Sequence, residues 1–185
     1  ISAEHGIGQL KREELLRYLN FIEREAARLN DLVTDMVDLS RPREPDRGAV
    51  DLAAISLGVV ELARRSSRGD DVVVRYDGPA SLQVVADAAQ MRQVLWNLVR
   101  NAVQASQEGS EVVVKLSLRD DGDAVMSVSD AGAGIPESQR EHIFDAFYST
   151  RSHGVGIGLA VVKQVSDSHQ FELEVTSGRE EGTTF

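Results

Sequence analysis

The first forty residues carry apolar side chains spaced alternately four and three positions apart. The members of this stripe are Leu15, Leu19, Ile22, Ala26, Leu29, Val33 and Met36. A heptad pattern of this kind predicts one helix from about Leu10 to Ser40, roughly 45 Å long at 1.5 Å per residue. Because the stripe would face water in a lone helix, it predicts a partner helix in this protein or in a second copy. Packing of the helix on its own globular domain is the alternative.

The remainder of the chain alternates between helical and strand patterns. Residues 42–48 are rich in proline and charge, which predicts a linker between a first region, 1–41, and a domain over 49–185. Periodicity predicts helices over 52–68, 87–106, 136–144 and 157–168, and strands over 71–76, 82–86, 111–118, 124–129 and 171–176. These elements predict an α/β (α+β) two-layer sandwich, in which a mixed, mostly antiparallel sheet carries helices on one face.

Composition excludes several classes of function. A formal net charge of -10 argues against binding of nucleic acids or anionic membrane surfaces. The absence of cysteine excludes disulfides, thiolate metal sites and cysteine nucleophiles. No apolar run approaches the roughly 20 residues of a membrane-spanning helix. We therefore expect a cytoplasmic fragment without membrane contact. It is expected to belong to a longer parent protein, in which a membrane anchor elsewhere is compatible with this sequence.

Asn97 and Asn101 stand four positions apart on the predicted helix over 87–106. This spacing directs both side chains to one helical face. An amide oxygen is a suitable ligand for Mg²⁺, which prefers oxygen donors and retains several waters. Taken alone, such a pair is more often solvated or capping than metal-binding.

The segment Asp130–Ile135 follows a predicted strand and contains Gly132 and Gly134. A carboxylate at a strand end can accept a hydrogen bond from the amino group of adenine. The two glycines allow a sharp turn and a close approach to the base. A plain Asp-Gly turn is the alternative, and the three-glycine spacing of a Rossmann fingerprint is missing.

Two further motifs follow within thirty residues of chain. In Ile143–Arg151 we interpret Phe144 and Phe147 as buried pins at the base of a mobile loop, and Arg151 as a phosphate contact. The glycine-rich segment Gly154–Leu159 opens a predicted helix. Backbone N–H groups at such a helix start, together with the helix dipole, favour a bound anion.

In this order, the four motifs resemble the N box, first glycine box, F box and second glycine box of sensor histidine kinases. Gly182–Phe185 resembles the last glycine-box segment of that family, and residues 29–41 resemble the second helix of its dimerisation and phosphoacceptor pair. The short segment between the two glycine boxes is most similar to the nitrogen-regulation branch, which has a compact ATP lid. The resemblance implies a Bergerat-type ATP-binding fold.

The resemblance also implies a role for each matching residue. Asn101 would be the main Mg²⁺ ligand, with Asn97 close to the metal and the phosphates. Asp130 would hold adenine, and Thr183 would support the base directly or through water. The remaining nucleotide contacts would come from Gly132, Gly134, Ile135, Arg151, Gly154, Gly156, Ile157, Gly158 and Leu159. The ligand would be ATP or ADP with Mg²⁺, and the catalytic residues would be Asn97, Asn101 and Arg151.

Position 97 distinguishes this chain from other ATPases of the wider superfamily, which carry a glutamate there as a general base. Since an asparagine cannot take a proton, we expect phosphoryl transfer to an imidazole and not direct hydrolysis. None of His5, His142, His153 and His169 has the sequence context of the family's acceptor. We therefore expect the acceptor on a helix outside this chain, and a final strand beyond Phe185.

The implied function is that of an ATP-dependent histidine kinase of a two-component system. Its expected partner is a response regulator receiver domain, and the parent protein is expected to form a homodimer. A serine kinase of the anti-sigma-factor type is one alternative, which the heptad helix disfavours. A pseudokinase that signals by shape is another, which the complete set of nucleotide motifs disfavours.

Overall fold

The computed structural model describes residues 2–40, 43–66, 72–149, 155–178 and 181–185. The chain divides into two units, Ile1–Arg41 and Pro42–Phe185. The first unit is the helix α1 (Ser2–Ser40), which begins earlier than the heptad stripe predicts. Its stripe residues Leu19, Ile22 and Leu29 are all more than half exposed. Within the described ranges, no helix is long and apolar enough to cross a membrane.

The second unit contains two sheets and four helices among its described residues. Its elements are β1 (Gly48–Asp51), α2 (Leu52–Ser66), β2 (Val73–Asp77), β3 (Gln83–Ala86), α3 (Ala88–Ala105), β4 (Glu111–Leu118), β5 (Ala124–Asp130), α4 (Glu137–Arg140), α5 (Gly158–His169), β6 (Thr176–Gly178) and β7 (Gly182–Thr184). The main sheet has the order β2-β4-β5-β7-β6, and β1 pairs with β3 in a separate two-stranded sheet. Only the β2–β4 pair is parallel among these strands. The predicted mixed, mostly antiparallel sheet is confirmed.

The core lies between the main sheet and the helices packed on it. Along β4, Val112, Val114 and Leu116 are buried, while the residues between them are more exposed. This period of two directs one face of the strand to the helices. Helices α2 and α3 contact the sheet, and α3 also packs against α2 and α5. Leu95 and Val99 of α3 are fully buried, and each contributes about 1.5–3 kcal/mol relative to an exposed position.

The strand predicted over residues 171–176 is wrong. The chain leaves α5 through Gln170, which has a φ of 63°, and residues 171–175 are irregular. Phe171 stacks on His169 with ring centroids 4.8 Å apart, and its N–H donates to the carbonyl of Ser166. The segment therefore covers the end of α5. The place beside β5 in the sheet is taken by β7, a strand that the periodicity did not predict.

The start of α3 is fixed by the buried carboxylate of Asp87. It accepts hydrogen bonds from the N–H groups of Ala89 and Gln90 at 2.9 and 3.0 Å, as an N-cap does. It also accepts from the N–H of Asp46 and from the guanidinium of Arg43, which ties part of the predicted linker to α3. Burial alone would raise the pKa of Asp87. The surrounding donors favour the carboxylate more strongly, so its pKa lies below its usual value.

Candidate nucleotide site

Three polar side chains form a row across neighbouring strands at one end of the main sheet. Asp130 is the last residue of β5 and pairs with Thr183 of β7, which in turn pairs with Ser177 of β6. Directly opposed residues of antiparallel strands share one face, with Cβ atoms about 5 Å apart. Asp130 and Thr183 were predicted site residues. Ser177 was not, and we call the three the polar row.

The loop after Asp130 depends on its glycines. The Gly132 N–H donates to the Asp130 carboxylate at 2.8 Å, which closes a tight turn. A Cβ on Gly132 would lie 2.5 Å from the carbonyl oxygen of Ala105, at the end of α3. Gly134 has a φ of 74°, and a Cβ there would lie 1.8 Å from the carbonyl oxygen of Gly178. Only glycine satisfies both the left-handed conformation and this close backbone contact.

Two residues that the motifs did not include hold this loop against the β6–β7 strands. The Ile135 N–H donates to the Ser177 hydroxyl at 2.7 Å. The Arg140 guanidinium donates to the carbonyl of Ile135 at 3.2 Å and also to the carbonyl of Ser177. The nearby sequence gives one indication of a role for Ser177: it precedes Gly178, and Gly182 follows four residues later, at the start of β7. The contacts of Arg140 span 37 positions to Ser177 and leave no pattern in the nearby sequence.

Asn97 and Arg100 of α3 face the start of α5. The Asn97 side chain is 1 % exposed, and its Oδ1 accepts from Nη2 of Arg100 at 3.0 Å. Its Nδ2 is buried and finds no hydrogen-bond partner in the described parts of the chain. A Cβ on Gly158 would lie 3.2 Å from Nη2 of Arg100 and 3.4 Å from Oδ1 of Asn97. The structure therefore brings the N box together with the second glycine box.

The backbone that precedes α5 makes a second close contact, in which Gly156 lies against Tyr148. Gly156 has a φ of 71°, and a Cβ there would lie 2.2 Å from the carbonyl oxygen of Tyr148. The carbonyl of Gly156 accepts from the Phe147 N–H at 2.9 Å. Ile157 is buried at 1 % exposure, and Leu159 is half-buried. The predicted contacts Arg151 and Gly154 lie outside the described residues.

One of the two predicted aromatic pins is wrong. Phe144 is half-buried and packs its edge against Phe185, with ring centroids 6.3 Å apart. Phe147, in contrast, is 63 % exposed and has a φ of 67°. The N–H of Phe147 donates to the carbonyl of Gly156, which holds the backbone in this left-handed conformation. The ring therefore points outward and is not buried.

Helix α3 contacts both parts of the candidate site, the loop after Asp130 and the start of α5. Its last residue, Ala105, meets Gly132 beside the polar row, and Asn97 meets Gly158 about two turns earlier. Asn101, half-buried, lies on α3 between these two contacts.

The residues present fit a nucleotide with Mg²⁺. The buried Nδ2 of Asn97 is a donor that a phosphate oxygen would satisfy, and α5 directs its N–H groups to the same region. The oxygen of Asn97 already accepts from a guanidinium, whose positive charge disfavours a metal ion at that atom. Asn101, the main metal ligand that the family motif implies, lies about one turn further along the same helix.

A layer of helices on a mixed sheet, with glycine-dependent loops after β5 and before α5, is typical of a nucleotide-binding ATPase domain. Residues 86–185 match the family model for histidine kinase-, DNA gyrase B- and HSP90-like ATPases. Sensor histidine kinase ZraS of Escherichia coli (strain K12) is 32 % identical over 164 residues, which cover 88 % of this chain and 35 % of ZraS.

Two solved structures are similar over most of the chain. Full-length ShkA in complex with AMPPNP has a TM-score of 0.75 and 26 % identity, covering 91 % of this chain and 37 % of ShkA. Histidine kinase ThkA in complex with the response regulator TrrA has a TM-score of 0.73 and 28 % identity, covering 91 % of this chain and 48 % of ThkA.

The chain belongs to the histidine kinase-, DNA gyrase B- and HSP90-like ATPase family. Its curated relatives are sensor histidine kinases, which confirms the family that the motifs indicated. The chain spans about a third of the length of ZraS.

Proposed function

We propose that this chain is the ATP-binding part of a two-component histidine kinase. It binds Mg-ATP and transfers the γ-phosphoryl group to a histidine on a separate helix, for relay to an aspartate of a response regulator. The observation that carries the proposal is the convergence of the two glycine boxes on α3, the helix that carries the N box. The end of this helix meets the loop of Asp130, and its middle meets the start of α5.

The polar row supports a binding site for adenine. Asp130 offers a carboxylate to the amino group of the base, and Thr183 offers a hydroxyl oxygen beside it. Gly132, Gly134 and Ile135 line the pocket, because their backbone forms the turn around Asp130.

The start of α5 supports a binding site for the phosphates. Gly156, Gly158 and the N–H groups of the first turn of α5 bind phosphate oxygens, with Arg100 and the Nδ2 of Asn97 as further donors. Ile157 and Leu159 belong to the same segment. Arg151 and Gly154 are assigned to the phosphates by the family motif alone.

The reaction is transfer and not hydrolysis, because Asn97 cannot act as a general base. Asn101 is the ligand for Mg²⁺, which when bound neutralises phosphate charge and orients the γ-phosphoryl group. His169 is a poor acceptor, since it is 5 % exposed and its Nε2 accepts from the N–H of Asp87. His142 is exposed, but like His169 it lacks the sequence context of the family's acceptor, so we assign the acceptor histidine to another segment.

The expected partners follow from two observations. ThkA has been solved in complex with the response regulator TrrA, which supports a receiver domain as the partner here. The exposed stripe of α1 supports a homodimer of the parent protein, in which a second helix covers the stripe. We propose a cytoplasmic location for this part of the protein.

Calorimetric titration with Mg-ATP and Mg-ADP tests nucleotide binding. We expect wild-type chain to bind both, and Asp130→Asn to weaken ATP binding about 10- to 100-fold, because a hydrogen bond to a charged group is lost. Asp120→Asn, in the exposed β4–β5 turn, is the matched control and should bind as wild type does. No heat and no thermal shift at millimolar nucleotide would contradict the proposal.

Phosphoryl transfer is tested separately with ATP labelled on the γ-phosphate, using the protein expressed with its native upstream sequence. We expect label that is stable in alkali and lost in acid, as a phosphorus–nitrogen bond requires. Label on His5, His142, His153 or His169 of this chain would contradict the assignment of a separate acceptor.

A further inference from the structure

The Ser177 hydroxyl has hydrogen-bond partners on three sides. It accepts from the Ile135 N–H at 2.7 Å, donates to the carbonyl of Gly182 at 2.9 Å, and lies 3.0 Å from the Thr183 hydroxyl. A serine hydroxyl has one proton and two acceptor lone pairs. The arrangement that satisfies all three contacts at once has Ser177 donating to Gly182 and Thr183 donating to Ser177. The proton of Thr183 therefore points to Ser177.

This orientation decides what Thr183 offers to the pocket. With its proton directed to Ser177, the Thr183 oxygen presents only lone pairs in its remaining directions. Thr183 stands opposite Asp130 on the same face of the sheet. Two neighbouring acceptors suit the amino group at position 6 of adenine, directly or through one water. An oxo group at that position would instead meet lone pairs.

We propose that Ser177 is a positioning residue that fixes Thr183 as an acceptor and thereby selects 6-aminopurine over 6-oxopurine nucleotides. The inference rests on the proposed function, in which this pocket binds adenine. Arg140 keeps the arrangement together, because it donates to the carbonyls of both Ile135 and Ser177. Ser177 is itself half-buried beside the buried Thr183, which protects the network from competing water.

The test compares binding of Mg-ATP with binding of Mg-ITP, in which an oxo group replaces the 6-amino group. We expect Ser177→Ala to lower the ratio of the two affinities about twofold to tenfold, the range for one hydrogen bond. Most of the change should be tighter binding of ITP, since Thr183 is then free to turn its proton to the oxo group. Ser177→Thr keeps a hydroxyl and should restore the ratio.

Two further variants control for structural effects. Ser117→Ala removes a half-buried hydroxyl near the opposite end of the β4–β5 pair, and should leave the ratio unchanged. Ser177→Cys fills the same space with a weaker donor, and should shift the ratio in the same direction as alanine. It replaces the alanine variant if thermal unfolding shows that the latter does not fold.

The outcomes separate this inference from the proposed function. If wild-type chain binds ATP but Ser177→Ala leaves the ratio unchanged, or weakens both nucleotides equally, the inference is overturned and the proposed function stands. A ratio in Ser177→Thr as low as in the alanine variant would also overturn it. Wild-type chain that binds neither nucleotide would overturn both.

Discussion

The two sides of the candidate site differ in how completely their polar groups are hydrogen-bonded within the protein. On the side proposed for the base, the loop of Asp130 is tied by hydrogen bonds to Ser177 and Arg140 and is packed against Gly178. On the side proposed for the phosphates, Asn97 is only 1 % exposed, yet its Nδ2 finds no partner within the described parts of the chain.

In the proposed site, this difference supports two kinds of recognition. A base pocket built from strand ends and closed by hydrogen bonds would be preorganised, so it would discriminate by geometry. A phosphate region with an unsatisfied buried donor would be completed by its ligand, since such a donor costs about 1–3 kcal/mol until it is paired. Disturbing the base side should therefore damage both folding and binding, whereas disturbing the phosphate side should mainly damage binding.

The largest expected effect is that of Gly134→Ala on the base side. The left-handed backbone costs an alanine about 1–2 kcal/mol, and the contact with the Gly178 carbonyl adds about 1–3 kcal/mol of overpacking. We expect urea unfolding to show a loss of about 2–5 kcal/mol and titration to show no ATP binding.

Gly109→Ala is the matched control for this substitution. Gly109 has a φ of 80°, and nothing lies within 4 Å of a Cβ built there. It should lose only the backbone contribution of about 1–2 kcal/mol and bind ATP normally. Equal losses in the two variants would show that the contact with Gly178 does not hold the loop.

The next effect in size is that of Asn97→Leu on the phosphate side. Leucine has nearly the same volume. It removes the unsatisfied donor but also the Oδ1 that accepts from Arg100, and because these two changes act in opposite directions, stability should change by no more than about 1 kcal/mol. ATP affinity should fall about tenfold or more, because the phosphates lose a buried donor. Urea unfolding and calorimetric titration on the same sample separate the two effects.

Gln90→Met provides the control on the same helix. Gln90 is also buried, and its Oε1 has no partner among the described residues, but it lies in the first turn of α3 beside Asp87. Its substitution should leave ATP affinity unchanged. If Asn97→Leu also keeps wild-type ATP affinity, the Nδ2 of Asn97 does not donate to a phosphate. The proposed difference between the two sides would then be wrong.

Local sequence patterns predicted the elements whose periodicity, turn residues or caps lie within the element itself. The hairpin of β4 and β5 follows from alternating apolar residues around an Asp-Gly turn, and α3 follows from its apolar face and the cap at Asp87. The first glycine box was also visible, because a left-handed turn such as that at Gly134 requires glycine.

The parts that escaped prediction depend on contacts distant in sequence. Strand β7 has three residues, too few for a period, and exists because β5 and β6 pair on either side of it. Ser177 was missed for the same reason, since its role comes from Ile135, which lies 42 positions away. Phe147 was taken as buried because aromatic residues usually are, whereas a backbone bond to Gly156 decides its orientation.

The smallest expected effect concerns Asp87, which holds the start of the helix shared by both sides. Its pKa is lowered in the folded state, so its contribution to stability is present above its unfolded pKa of about 3.9 and is lost as pH falls through the lower folded value. Asparagine keeps the cap but not the charge that pairs with Arg43. We expect Asp87→Asn to cost about 1 kcal/mol at pH 7.

Urea unfolding at pH 7, 5 and 3.5 checks this sign. The difference between wild type and Asp87→Asn should be equal at pH 7 and 5 and smaller at pH 3.5, where the Asp87 carboxylate of the unfolded chain already takes up its proton. Asp123→Asn, in the exposed β4–β5 turn, should differ little from wild type at each pH. A difference that grows on acidification would contradict a lowered pKa. ATP affinity should be unchanged in Asp87→Asn, because the effect acts on the first turn of α3 and leaves Asn97 and the polar row in place.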